Sequence, residues 1–295
     1  MRWEAAGAAN PCGTLRPRSI THRKAVAMPT AVTWHCRALA DDIPEEAVAG
    51  GVAVIIDVLR ASTTIVTAIA AGASFVVPVA AVDEARRHRE RLPPGTLLGG
   101  ERGGRRITGF DLGNSPAEYT AATVAGRGIV ITTTNGTAAL ARCAAAGERL
   151  IGCLVNRKAV AAAAAELAAA GDGQVHLVCA GTDGEVTGED LLGAGGILAA
   201  AAELLPPGEE LRHDATAGAA LAGFRTHAAA ADLAASLIEA FTAAPGGANL
   251  VSLGMAADLP LAAAVDRFGI VPRLCPATGR LLPLPPPTRR PQSPP

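Results

Sequence analysis

GVAVIIDVLRASTTIVTAIAAGASFVVPV, residues 51–79, decides how the chain folds. Its first run, Val52–Val58, is apolar and β-branched but too short for a helix, which predicts a strand buried on both faces. Ser62–Ala71 follows as a helix that starts from a hydroxyl-rich N-cap. Phe75–Val79 is a second strand. Strand, helix and strand in this order form the unit from which parallel sheets are built.

The unit repeats outward from there. Val82–Arg91 reads as a charged helix and Thr96–Gly99 as a short extended piece. Gly128–Thr133 is a strand leading into a helix from about Thr137 to Ala146, and Leu150–Val155 is another strand. Helix Arg157–Ala170, strand Gln174–Cys179 and a helix near Asp190–Leu204 complete the pattern. The alternation predicts an α/β fold: a largely parallel or mixed sheet covered by helices on both faces, in three layers. The folded unit is expected over 31–282. Residues 1–30 and the proline-rich stretch 283–295 are expected to be disordered, because neither can bury enough apolar surface to offset ordering.

Composition narrows the function. At 295 residues and 49% hydrophobic, the chain can bury a large core. A net charge of −1 argues against a general nucleic-acid binder. Lys24 and Lys158 are the only lysines, so an anion site must use guanidinium forks or backbone N–H groups. Six cysteines form no CxxC pair and six histidines no HExxH, so zinc is not expected. The first 30 residues hold no continuous apolar run; no signal peptide is read there, and Met28 offers an alternative start. Thr63–Val82 has the length and apolarity of a membrane span, but Gly72 and Pro78 divide it into a buried helix and a buried strand. The expectation is a cytoplasmic protein with no membrane or nucleic-acid partner; homo-oligomerisation is left open.

In such sheets the ligand sits beyond the carboxyl ends of the strands. Four segments at or near those ends carry chemistry. The first is Asp57, then Arg60, Ser62, Thr63 and Thr64: a hard oxygen donor for a divalent cation, a phosphate-binding fork and the start of a helix. The competing reading is a capped turn. The second, Gly99 to Pro116, carries Glu101, Arg102, Asn114 and Ser115 in a glycine-rich loop too long to be mere linkage. The third, Thr132 to Thr137, offers Thr134, Asn135, Gly136 and Thr137 as a phosphate cradle, although these residues are also ordinary caps. The fourth follows Cys179 and includes Asp183, Glu189 and Asp190. Cys179 is a candidate nucleophile, against the commoner fate of a buried thiol. No GxxxxGK[ST] and no GxSxG exist, and Gly193-Ala194-Gly195-Gly196 is a poor dinucleotide signal. Four segments each supplying acid, arginine or hydroxyl groups suggest one shared site.

DVLRASTT (57–64), GERGG (100–104), GFDLGNSP (109–116), TTTNGT (132–137), CAG (179–181) and GEDLLGAG (188–195) resemble the signature motifs of the 2-phosphosulfolactate phosphatase family. Leu250, Gly254, Asp258, Asp266 and Pro272 continue the pattern downstream. The chain departs from it in its N-terminal extension and proline-rich tail. The resemblance implies Mg²⁺-dependent hydrolysis of (2R)-2-phospho-3-sulfolactate to 3-sulfolactate and phosphate, a step of coenzyme M biosynthesis in methanogens. The rivals are a phosphatase for another phosphorylated hydroxy acid and a non-catalytic anion-binding protein.

Joined to the residues, this gives an expected site. Mg²⁺ is held by Asp57 and Glu101 with Glu189 or Asp190; Arg60, Arg102 and the Thr134–Thr137 turn hold the anionic groups. Water is the favoured phosphoryl acceptor over Asp57 or Cys179, since no histidine base or DxDxT context supports either.

Overall fold

The computed structural model describes residues 32–284. The expectations for residues 1–30 and for the tail beyond 284 lie outside the described residues.

Every residue of strand β2 (Val52–Ile56) is buried, as its apolar run requires. It feeds helix α1 (Ala61–Ala70). Ser62 fixes this crossover: its Oγ donates to the Ile55 carbonyl at 3.1 Å and accepts the Asp57 N–H at 3.0 Å. Strand β3 (Phe75–Pro78) and helix α2 (Val82–Arg91) follow. Further along come strands β4 (Leu97–Arg102), β6 (Gly128–Thr132), β7 (Glu148–Ile151) and β8 (Gln174–Cys179). Helices α4 (Gly136–Arg142), α5 (Arg157–Ala170) and α6 (Gly188–Ala202) connect or follow them, and a short helix α3 (Ala121–Val124) precedes β6.

Three local expectations are corrected. The strand placed at 150–155 ends at Ile151, and Leu154–Asn156 is a 3₁₀ turn. Asn156 turns the chain there, accepting the Cys153 N–H and donating to the Ile151 carbonyl. The glycine-rich stretch is not all loop: Arg105–Arg106 forms β5, antiparallel to β4, around Gly103 and Gly104, both at positive φ. That geometry is open to a Gly-Gly pair in a tight hairpin turn. Pro283 is not tail but the last residue of strand β11 (Arg280–Pro283).

The sheet has eleven strands in the order β5-β4-β6-β3-β11-β10-β7-β2-β8-β1-β9. Strands β1 (Thr33–Arg37) and β9 (Arg212–His213) line one edge, and β10 (Pro272–Cys275) pairs antiparallel with β11. The parallel pairs fall in two groups, β4-β6-β3 and β7-β2-β8-β1-β9. The hairpin joins them, one residue pair to each: Leu281 opposite Val76 and Arg273 opposite Leu150. The result is the expected mixed, mostly parallel sheet flanked by helices. Helices α7 (Ala215–Ala228), α8 (Leu233–Ala243), α9 (Pro245–Ser252) and α10 (Asp258–Ala262) fill the chain before the hairpin. Among the described residues, no helix is long and apolar enough to cross a membrane.

Candidate active site

The carboxyl ends of β2, β4, β6 and β8 open into one cleft of about 130 Å³. Its lining includes Asp57, Arg60, Glu101, Asn114, Thr134 and Asn135 from the expected set. It also includes Leu59, Gly103, Gly104, Thr182 and Asp183, and from α9 Gly246, Asn249 and Leu250.

Asp57 leaves β2 and turns into α1, where its Oδ1 accepts the Ala61 N–H at 3.0 Å. It is 7% exposed. Burial, reinforced by the neighbouring Glu101 and Glu189 carboxylates, pushes its pKa up to about 6. Gly136 at the start of α4 packs against it so closely that a Cβ there would stand 2.7 Å from Asp57 Oδ2. Glu101 is fixed from two sides. Its Oε1 accepts the Thr134 N–H and hydroxyl at 2.9 and 3.0 Å, and its Oε2 accepts the Gly104 N–H at 2.8 Å. The Thr134 donors are therefore committed to Glu101, not presented to a ligand.

Arg60 lies 3% exposed in a buried network. Nη1 donates to Asp258 Oδ2 at 2.8 Å and Nη2 to the Gly104 carbonyl at 2.7 Å. Ser115 Oγ donates to the other Asp258 oxygen at 2.5 Å. The network ties the β2–α1 turn, the β4–β5 hairpin, the 113–116 segment and α10 together. Asn114 is 5% exposed, and its Oδ1 has no hydrogen-bond partner among the described residues. A buried amide left so costs about 1–3 kcal/mol, and here it stands beside a ligand-sized space.

Glu189 lies directly behind the cleft wall: a Cβ on Gly246 would run into its Oε1. It is buried, its Oε2 has no hydrogen-bond partner among the described residues, and burial raises its pKa. Asp190 does not line the cleft. Its two oxygens accept the Val58 N–H at 2.8 Å and the Gly181 N–H at 3.0 Å, stapling the ends of β2 and β8 together.

Five further residues of the expected set lie away from the cleft lining. Cys179 is fully buried, and its pKa is pushed well up by its contact with Cys36 and by burial, which places it as a thiol of the core, outside the cleft. Arg102 turns outward to the Ala80 carbonyl and Thr132 Oγ1. Ser62 and Thr63 point inward, Thr63 Oγ1 donating to the Val58 carbonyl. Thr137 donates to the Thr133 carbonyl. These hydroxyls build the turns that carry the site without lining it.

Asp183 lines the cleft from the segment after β8. With Gly184 it makes a two-residue turn, both at positive φ, between Thr182 and Glu185. Asp-Gly is the sequence signal for that turn. Asn249 and Gly246 carried no comparable signal, because helical spacing says nothing about which face meets a cleft.

Among the described residues no three Asp, Glu, His or Cys side chains form a ready-made metal cage. The donor set nonetheless suits Mg²⁺, which keeps several waters and binds through one or two carboxylates. Asp57 and Glu101 line the cleft, and Glu189 places its Oε1 against the Gly246 wall.

A mixed α/β sheet gathers carboxylates, amides and a guanidinium at one cleft, and comparison with known proteins gives the class, a phosphoric monoester hydrolase. The chain belongs to the 2-phosphosulpholactate phosphatase family, whose sequence model matches residues 38–276. It is 41% identical over 226 residues to a protein of Deinococcus radiodurans named a probable 2-phosphosulfolactate phosphatase, covering 76% of this chain and 88% of that one. A protein of Symbiobacterium thermophilum with the same name is 40% identical over 230 residues, 78% of this chain and 93% of that one. A third, from Carboxydothermus hydrogenoformans, is 38% identical over 229 residues, 78% of this chain and 88% of that one.

Proposed function

We propose that the enzyme hydrolyses (2R)-2-phospho-3-sulfolactate to 3-sulfolactate and phosphate, with Mg²⁺ as its cofactor. The observation that carries this reading is the meeting of Asp57, Glu101, Arg60 and Asn114 in one cleft, although they come from three separate segments: the β2–α1 turn, β4 and the stretch 113–116. The names of the relatives above support the substrate.

Asp57 and Glu101, with Glu189 beside them, would hold the cation, whose positive charge offsets that of the phosphoryl oxygens. Asp57 is anchored by the Ala61 N–H and Glu101 by Thr134 and Gly104, so both carboxylates are preorganised. The amides of Asn114, Asn135 and Asn249 supply neutral donors for the phosphate, carboxylate and sulfonate oxygens. Arg60, its guanidinium locked by Asp258 and Gly104, offers its remaining N–H groups from a fixed position. The phosphoryl acceptor is water. Phosphoryl transfer depends mainly on positioning and charge neutralisation, and these residues are suited to both.

The test is phosphate release from 2-phosphosulfolactate against a panel of phosphorylated hydroxy acids without sulfonate, in excess Mg²⁺ and in EDTA. The sulfonated substrate should lead by kcat/KM, and EDTA should abolish turnover. Equal rates across the panel would defeat the substrate assignment; undiminished turnover in EDTA would defeat the cofactor.

A further inference from the structure

We infer that anion binding in this cleft waits for the divalent cation, and that Asp258 is the residue that enforces the order. The inference rests on the phosphatase reading above.

Among the described residues lining the cleft, Asp57, Glu101 and Asp183 are acids and Arg60 is the single strong base. Arg60 is not a free cation. Its Nη1 lies 2.8 Å from Asp258 Oδ2, and both side chains are 3% exposed. Removed from water together, the two charges cancel as seen from the cleft. Asp258 cannot swing away, because Ser115 Oγ holds its second oxygen. Glu189 adds a further buried carboxylate against the Gly246 wall.

A phosphoester carrying several negative charges therefore meets carboxylates with no free cation beside them in the cation-free protein. At an effective dielectric near 20, a like charge about 6 Å away weakens binding by on the order of 100-fold. A divalent cation beside Asp57 and Glu101 would offset those two charges, and only then do Arg60 and the amides act on a bound anion. An arginine without its carboxylate partner would capture phosphate unaided. Asp258 thus keeps free inorganic anions out of the empty site. Cation binds first and phosphoester second; product phosphate leaves before the cation does.

The test is calorimetric titration of the full chain with inorganic phosphate, once saturated with Mg²⁺ and once in EDTA, and with Mg²⁺ alone. The wild type should bind Mg²⁺ without phosphate, and phosphate at least about 100-fold more weakly in EDTA than in Mg²⁺. Asp258→Asn keeps an acceptor for Arg60 but removes the charge, so its phosphate affinity in EDTA should rise on the order of tenfold. Asp183→Asn should shift in the same direction by a smaller factor. It sits in an exposed turn where asparagine is at home at positive φ, and it remains informative if the Asp258 variant fails to fold. Equal phosphate affinity in Mg²⁺ and EDTA, or no gain in EDTA for either folded variant, overturns the inference. Absence of phosphate binding even in Mg²⁺, with no turnover, overturns the phosphatase reading itself.

Discussion

Gly136→Ala is the most direct probe of how the cleft is assembled. The added methyl would lie 2.7 Å from both Ala61 Cβ and Asp57 Oδ2. Carbon pairs settle at about 3.5–4.0 Å, so α4 and the β2–α1 turn must part by close to an ångström. Overpacking of this kind costs about 1–3 kcal/mol, which for a domain of this size lowers Tm by about 2–10 °C. The functional effect should be larger than the thermal one. Asp57 is the carboxylate displaced, and misplacing a positioned group by about 1 Å costs on the order of 100-fold in rate. Gly128→Ala serves as the control. Its methyl would overlap the Phe75 ring at the amino end of β6, remote from the strand ends that carry the cleft. Phosphate release and thermal unfolding should be measured on both variants under identical Mg²⁺. Both should lose stability, but only Gly136→Ala should lose about 100-fold in kcat/KM. Wild-type kcat/KM in a folded Gly136→Ala protein would refute the claim that contact between α4 and Asp57 sets the site.

Asp57→Asn should abolish most Mg²⁺-dependent turnover while leaving the far-UV circular dichroism spectrum unchanged; retained turnover would remove Asp57 from the cation site. Cys179→Ala should keep kcat within about twofold and lose about 1–2 kcal/mol in urea unfolding, as expected of a buried packing residue; loss of turnover without loss of stability would restore the thiol as a candidate nucleophile. His176 gives a pH signature. Burial, then the charges of His35 and Arg37, lowers its pKa from 6.5 to about 4. As pH falls from about 6.5 to about 4 the unfolded chain takes up this proton first, so stability should fall across that window and the effect should be absent above it. The ceiling is about 3 kcal/mol. His176→Gln should flatten the slope of urea midpoints between those pH values, and an unchanged slope would assign it to other groups.

The parallel part of the fold was legible because it is local. β2, α1 and β3 follow one another with unambiguous period, and α5 and β8 were placed to the residue. The C-terminal third was not. Its helices are alanine- and glycine-rich with few buried anchors, such as Leu237 and Phe241 in α8, so periodicity was faint. The hairpin β10–β11 returns from far along the chain to the middle of the sheet, a pairing no local pattern announces. The site divides in the same way. Asp57, Glu101 and Asn114 share the cleft, as their strand-end and glycine-rich-turn positions suggest. Ser62, Thr63, Thr137 and Asp190 lie outside the cleft lining, and sequence gives no sign of it because a hydroxyl or acid that holds a turn looks the same in sequence as one that holds a ligand. Only hydrogen-bond partners separate the two. The Ser62 link to Ile55 and the Asp190 links to Val58 and Gly181 do so here.

The late-arriving elements also explain how the cleft acquires its geometry. Asp57 follows β2 in the β7-β2-β8-β1-β9 group of strands, whereas Glu101 lies in β4 and Thr134 follows β6 on the other side of the hairpin. A single residue pair joins the hairpin to each group, which is too little ladder to fix their relation alone. Side chains supply the rest. α1 packs on β3, β7 and β10 at once and touches α4. The Arg60–Asp258 pair then ties the β2–α1 turn to α10, while the bond from Arg60 to the Gly104 carbonyl reaches the β4–β5 hairpin. Breaking a buried pair of this kind costs about 3–5 kcal/mol, enough to matter for the whole domain. The cleft is therefore complete only after the C-terminal third has docked. A folding intermediate with both parallel groups formed but α10 undocked would present Asp57 and Glu101 without a fixed spacing between them, and would have no basis for holding cation and phosphoester together.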